Sequence, residues 1–351
     1  MSTDQIAVAV IGCGFYAQNH LNAWRDLAND GVLIAAVCDT DPVKAKAASD
    51  AFGGDWFTNA TQMIEAVQPD LIDIVTQPET HRELVELTSS HGIATIVQKP
   101  LAFNWDDCCA IADAVTKSGI FFGVHENFRF QGPMMRVKQL IDDNVIGKTS
   151  FARIYFRTAF DVFFAQPYLA EQKRLAIQDV GVHVLDLARF FMGEVKHLSC
   201  ETQQRIANIA GEDTATMLLR HTSDAVSVVE ISFSAKRSPD VFPETLLEIE
   251  GEKGCIRLDA DSQINVASKG TNRHEDASVP LLAWTEKPWH VTQASVLDFN
   301  RHVVQAFRAN EMPDTNIADN LRTIALVEAA YEAARTGRTV KPKVWVDGKT
   351  R

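Results

Sequence analysis

The sequence of 351 residues predicts two α/β parts. The first is a doubly wound parallel sheet. The second is an α+β part built on a mainly antiparallel sheet. Three observations carry this. A β-branched apolar run, Ala7 to Ile11, feeds into Gly12-Cys13-Gly14-Phe15-Tyr16-Ala17 and a helix-like stretch, and Asp39 closes a second apolar run. That is the order of a dinucleotide-binding βαβ unit. Nearly all-apolar runs then alternate with helical stretches to about residue 126, as strands covered on both faces require. Beyond that point, period-two runs with short turn-like links take over, the mark of hairpins.

Each element follows in order. Strands are expected at 6–11, 32–38, 71–75, 93–97 and 120–124, and helices at 16–29, 42–52, 60–66, 80–91 and 104–118. Gly12 permits the tight turn after the first strand, Gly14 lets a pyrophosphate approach the backbone, and Ala17 keeps the helix close to the strand. The helix N-terminus offers N–H groups and a positive dipole end to phosphate. Asp39 suits ribose hydroxyls and repels a 2′-phosphate, and no Arg or Lys follows it before Lys44, so NAD is expected over NADP. Gly31, Gly92 and Gly119 stand just after helices, where a left-handed residue is wanted. Ligands in such sheets bind at the carboxyl ends of the strands, here Gly12, Asp39, Thr76, Gln98 and His125.

The second part opens on the alternating run Phe151 to Arg157 and a helix near 180–192, ended by Gly193. Strand-like runs follow at 196–206, 214–221, 225–235, 244–250, 254–259 and 262–268. The polar stretch 269–292 reads as a long loop. Helical runs near 293–310 and 317–336 and a strand-like Val340 to Val346 close the chain. The expected domains are 1–126 and 127–351.

Composition narrows the function. Hydrophobic residues at 46% and charged residues at 23% are those of a globular enzyme. A formal charge of −12 disfavours nucleic acid and anionic lipid as partners. No run is long and apolar enough for a membrane span, and the start lacks the basic leader of a signal peptide. The six cysteines form no C-x-x-C pair and read as small buried thiols in a reducing cytoplasm, with no metal site.

Two segments could carry chemistry. Lys99 leaves a parallel strand at the ligand-binding end, and Pro100 disfavours helix there. Beside a cationic nicotinamide such a lysine handles protons near neutral pH; the other reading is an exposed surface lysine. Asp179 and His183 are four residues apart, so on a helix they share a face, with Asp179 where an N-cap would stand. Asp179 would orient the imidazole, and His183 would take a proton from a substrate hydroxyl. A histidine among apolar residues also reads as a satisfied core residue. Asp186 and Arg189, three apart, read as a local ion pair. Phe160, Phe163, Phe164 and Tyr168 form an aromatic run suited to a pocket wall, a core or an interface.

The set Gly12-Cys13-Gly14-Phe15-Tyr16-Ala17, Asp39, Thr76 to His81, Gln98-Lys99-Pro100, Asn127-Phe128-Arg129, Ile146-Gly147 and Asp179 to His183 resembles the glucose–fructose oxidoreductase/inositol dehydrogenase (Gfo/Idh/MocA) family over nearly the whole chain. The resemblance implies an N-terminal Rossmann domain and a C-terminal domain with a large open sheet, through which homodimers or homotetramers form. It implies that Lys99, Asp179 and His183 are catalytic. It implies cofactor contacts from Gly12, Cys13, Gly14, Phe15, Tyr16, Ala17, Asp39, Thr76, Gln77, Pro78, His81, Gln98, Lys99 and Asn127. Substrate contacts would come from Lys99, Asn127, Arg157, Asp179 and His183. The implied activity is NAD-dependent oxidation of a sugar or polyol hydroxyl, with aldoses such as D-apiose, oxidised to the lactone, ahead of inositols. A non-catalytic NAD(H)-binding regulator is the alternative from another class. The nicotinamide ring, Lys99 and His183 would have to converge on one oxygen and its carbon. One departure stands out. The family usually reads Glu-Lys-Pro, and its glutamate helps hold the nicotinamide ribose; Gln98 keeps hydrogen-bonding capacity but no charge.

Overall fold

The computed structural model describes residues 5–346 and 349–350. The chain forms two compact units. The first runs to Asn127 and takes in Gln293–Leu321 and Trp345–Thr350; the second comprises Phe128–Thr292 and Arg322–Val344.

The first unit alternates β1 (Ile6–Ile11), α1 (Ala17–Asp26), β2 (Val32–Cys38), α2 (Pro42–Phe52), β3 (Asp55–Phe57), α3 (Ala60–Val67), β4 (Leu71–Ile74), α4 (Pro78–Ser90), β5 (Ala94–Gln98), α5 (Trp105–Ser118) and β6 (Phe122–His125). The six strands pair in parallel in the order β3-β2-β1-β4-β5-β6, so the winding reverses between β1 and β4. Such a reversal creates the ligand crevice of this architecture. Local chemistry sets the helix starts. Asp41 accepts from the Val43 N–H at 2.9 Å with Pro42 at the first helical position, and Asn104 accepts from Asp107 N–H at 2.9 Å. Gly119, at φ +67°, ends α5 in the left-handed conformation expected of it. The sequence pattern did not reveal β3, whose three residues are too short for a period to register.

The second unit contains α6 (Gly132–Asp142), β7 (Thr149–Arg157), α7 (Val162–Ala165), α8 (Val182–Met192), β8 (Val195–Gln203), β9 (Thr214–His221), β10 (Val226–Ser232), β11 (Leu246–Gly251), β12 (Gly254–Asp259), β13 (Gln263–Ser268) and β14 (Thr271–Asp276). Its eight-stranded sheet runs β14-β13-β12-β11-β7-β10-β9-β8, antiparallel except for the parallel β7–β10 pair. Ala152, Ile154 and Phe156 of β7 are buried, while Phe151, Arg153 and Tyr155 point the other way and are half-buried or exposed. The stretch read as a loop over 269–292 holds β14, which pairs with β13 through polar, mostly exposed residues and so carries no apolar period.

Two long helices follow, α9 (His290–Ala309) and α10 (Ile317–Thr336). The segment Gln293–Leu321 returns to the first unit, so an undivided second domain over 127–351 is not what the chain builds. Thr315 closes the open edge of β6, its hydroxyl donating to Val124 O at 2.6 Å and its carbonyl accepting from Val124 N–H at 2.9 Å. Phe299 of α9 lies with its ring 4.1 Å from that of His125. Among the described residues no helix is long and apolar enough to cross a membrane.

Candidate active site

The turn after β1 is built for close approach. Gly12 sits at φ +99°, and a Cβ there would meet Val75 O at 2.4 Å. Gly14 differs: a Cβ would meet nothing within 4 Å, so packing within the protein does not require a glycine at this position. The start of α1 has no side-chain cap; Gln18 and Asn19 N–H donate to Phe15 O and Tyr16 O at 3.4 and 3.0 Å, and the positive end of the helix dipole faces the turn after β1. Asp39, at the tip of β2, accepts from Cys13 N–H at 2.8 Å and from Asp41 N–H at 2.9 Å. One bond to each carboxylate oxygen fixes its rotamer and leaves acceptor capacity for ribose hydroxyls. An uncapped helix start, an open Gly14 and an anchored carboxylate together fit a dinucleotide. Cys13 contributes backbone here; its thiol is buried, and that burial, with the Asp39 charge adding, pushes it up to about 12. Ala17 is buried beneath the turn and Phe15 is 85% exposed.

The other strand ends add side chains. Thr76 and Gln77 precede Pro78, the first residue of α4, and Thr76 accepts from the Thr80 hydroxyl at 2.7 Å. His81 has a different place from the one expected. It is fully buried, with Nδ1 3.1 Å from Leu101 O and Nε2 3.2 Å from Thr76 O. The ring therefore lies between the loops that follow β4 and β5, its single N–H in the neutral form donating to one of the two carbonyls, and does not present itself to a ligand. Burial pushes its basicity down, and the carbonyls of Leu101 and Thr76 only partly offset this. Gln98 ends β5 and accepts from the Lys99 backbone N–H at 2.6 Å. Lys99 itself is half-buried, and the Lys99–Pro100 bond is cis. Asn127 is buried and donates to Ser295 Oγ at 2.7 Å. It also hydrogen-bonds Tyr16, whose phenol is held well above its ordinary range, first by burial and then by the Glu126 carboxylate.

In the second unit, Asp179 and His183 ride on one continuous helical stretch. Asp179 lies in a π turn, Ile177–Gly181, which runs directly into α8, and His183 occupies the first turn of that helix. Asp179 is thus not an N-cap: its own N–H donates to Leu175 O at 2.9 Å, so the helical bonding begins before it. The capping role falls to Glu212, which accepts from Leu175 and Ile177 N–H at 3.2 and 3.0 Å. The Tyr331 hydroxyl donates to Glu212 at 2.7 Å. His183 is 3% exposed and stacks flat on Phe128, with centroids 3.8 Å apart and planes 3° off parallel. Asp186 lies 3.7 Å from Arg189, but its principal partner is Arg129, which forks onto both carboxylate oxygens. Arg157 ends β7 opposite Ser232, on a different element from the Asp179–His183 pair. Phe160 stacks on Phe242 at 4.0 Å beside Trp289, while Phe164 and Tyr168 are exposed, so the aromatic run is not a core.

Phe128, and His20 with Nδ1 2.8 Å from Asp73 Oδ2 and Nε2 3.0 Å from the Gln98 amide, were not marked as site residues by the sequence. Asp73 did leave a trace, as the single charge in Leu71-Ile72-Asp73-Ile74.

Residues 6–126 match the model of the oxidoreductase family with NAD-binding Rossmann fold, and residues 134–257 match the GFO/IDH/MocA C-terminal domain. The chain is 44% identical to a D-apiose dehydrogenase of Paraburkholderia graminis, over 95% of this chain and 89% of that one. It is 41% identical to a D-apiose dehydrogenase of Rhizobium rhizogenes, over 97% and 98%. An oxidoreductase from Agrobacterium radiobacter, solved in complex with NAD+, L-tartaric acid and magnesium, superposes with a TM-score of 0.93 at 41% identity, covering 96% of this chain and 98% of that one. A levoglucosan dehydrogenase, solved with NADH and levoglucosan, shares the fold at a TM-score of 0.83 and 20% identity, over 96% and 99%. In motif, in topology and along most of its length, this chain belongs to the Gfo/Idh/MocA oxidoreductase family.

Proposed function

We propose that the protein is an NAD-dependent sugar dehydrogenase that oxidises an aldose, D-apiose first among candidates, at its anomeric hydroxyl to give the lactone. The observation that carries this is the full-length similarity, at 44% and 41% identity, to two D-apiose dehydrogenases. Bound nicotinamide supplies the hydride acceptor. Gly12, Gly14 and the start of α1 receive the pyrophosphate, Asp39 takes the ribose hydroxyls and selects NAD over NADP, and Thr76 to Pro78, Gln98 and Asn127 border the nicotinamide half. Lys99 donates a hydrogen bond to the oxygen of the reacting hydroxyl and stabilises negative charge as it develops. His183 accepts the hydroxyl proton, and Asp179 orients its ring and stabilises the imidazolium. Phe128, stacked on that ring, limits its rotation. Arg157 contacts the sugar.

The test is NADH formation over a panel of D-apiose, other pentoses, hexoses, inositols and sugar acids, with NADP as the competing cofactor. Highest kcat/KM is expected with D-apiose and NAD; turnover only of an inositol, or none at all, overturns the reading. Lys99→Ala is expected to bind NAD normally and to lose about 10²–10⁴-fold in kcat. A near-normal rate removes Lys99 from the mechanism.

We further propose that copies associate through the outward face of the eight-stranded sheet, where Phe151, Tyr155 and Leu218 are half-buried or exposed. Light scattering on wild type and Leu218→Arg tests this. An unchanged mass for the variant contradicts it.

A further inference from the structure

Behind the strand ends of the first unit, a hydrogen-bonded chain reaches Gln98 and Lys99 from residues that the proposed chemistry does not use. Asp73 of β4 and His20 of α1 are both fully buried. His20 Nδ1 lies 2.8 Å from Asp73 Oδ2, and Trp24 Nε1 donates to the same oxygen at 2.7 Å. Among the described residues Asp73 Oδ1 has no hydrogen-bond partner, so there this carboxylate is met at Oδ2. On its other side, His20 Nε2 lies 3.0 Å from the Gln98 amide nitrogen, and Gln98 Oε1 accepts from Lys99 N–H at 2.6 Å. The rings of Tyr16 and His125 flank His20 at 5.6 and 4.2 Å.

The polarity of this chain is set from one end to the other. A backbone N–H only donates, so the Gln98 atom facing Lys99 is the amide oxygen, and the amide nitrogen faces His20. That nitrogen also only donates, so His20 Nε2 accepts and carries no proton. The ring proton then resides on Nδ1, where Asp73 receives it. A glutamate at position 98 would set a carboxylate oxygen, an acceptor, against the accepting Nε2. Glutamine is the side chain whose donor complements a neutral imidazole here.

We propose that His20, fixed by Asp73 as the Nδ1–H tautomer, is a positioning residue for Gln98 and through it for Lys99, and that glutamine at 98 is matched to this neutral ring. The kinetic consequence rests on the role proposed for Lys99; the tautomer does not.

The experiment has two arms. In the full-length chain labelled with ¹⁵N-histidine and free of cofactor, the His20 ring signals, assigned by correlation to their backbone, are expected to show Nδ1 protonated and Nε2 unprotonated at neutral pH. Gln98→Glu, which replaces the donor facing Nε2 by an acceptor, is expected to move the Nε2 signal at the same pH. An Nε2–H tautomer in wild type, or a His20 spectrum indifferent to Gln98→Glu, overturns the proposal, and this arm needs no variant of His20. In the second arm, His20→Phe is expected to lower kcat about tenfold in the wild-type background and not at all in Gln98→Met. Additive losses would make His20 a structural residue only. If Lys99→Ala keeps its activity, the lysine's role fails while the tautomer result stands, so the two failures are told apart.

Discussion

Two glycines two residues apart do different work, and substitution separates them. Alanine at Gly12 meets both a left-handed backbone at φ +99° and the Val75 carbonyl at 2.4 Å. Gly12→Ala is expected to lower stability by about 1–3 kcal/mol from backbone strain alone, read from urea unfolding. Gly14→Ala places its methyl in open space, so the unfolding midpoint should hold while NAD affinity falls about tenfold or more by titration. An equal loss of stability in both variants would contradict this division. Histidine burial gives a pH dependence. Burial favours neutral His81 and neutral His221 in the folded state. Below the ordinary histidine value of about 6.5, the unfolded chain gains protons that these rings resist. Stability is therefore full above that value and falls as pH drops beneath it. Urea midpoints that stay flat between about pH 7 and 5 would contradict this. The left-handed turn at Gly12 and the place of Asp39 after β2 were legible in the sequence. His20 was not, because a histidine on the inner face of a helix shows no partner until the fold brings Asp73 and Gln98 beside it.

Among the elements, the helix bearing Asp179 and His183 is held from outside its own sequence. Glu212 supplies the acceptor for its first N–H groups, and Tyr331 pins Glu212. The Tyr331 phenol stays protonated as a donor, since burial first and then the Glu212 charge raise it far above its ordinary range. Glu212→Ala would strand two N–H groups and a phenol. A loss of about 2–4 kcal/mol in chemical unfolding is expected, with a smaller loss for Glu212→Gln; indifference to both changes would rule out the capping role. This arrangement also explains one misplaced expectation. Asp179 stands where an N-cap would, but the signal for a cap is local, and here the cap arrives from a residue more than thirty positions later. Elements with strong periods, such as β1, β2, α2 and α5, were legible to within a residue or two. β14 was not, because an exposed polar strand looks like a loop.

At the scale of the molecule, the first compact unit breaks off after Asn127, near the change of period in the sequence, while the return of 293–321 left no mark there. An amphipathic helix declares that it packs, not against what. A fragment of residues 1–127 lacks Val296, Phe299 and Val303, all buried, and the Thr315 clasp on β6. Its amide spectrum is expected to be poorly dispersed, and joining residues 293–321 through a short linker should restore dispersion. A well-folded fragment on its own would show that the returning segment is dispensable.

The clasp on β6 has a temporal side. Translation delivers the chain from its amino end, and contiguous domains can fold as they leave the ribosome. The strands of the nucleotide-binding half are made before the eight-stranded sheet, and the residues that seal their edge after it. Their closure therefore follows the making of the intervening sheet, so the earlier-made strands gain their last neighbours late.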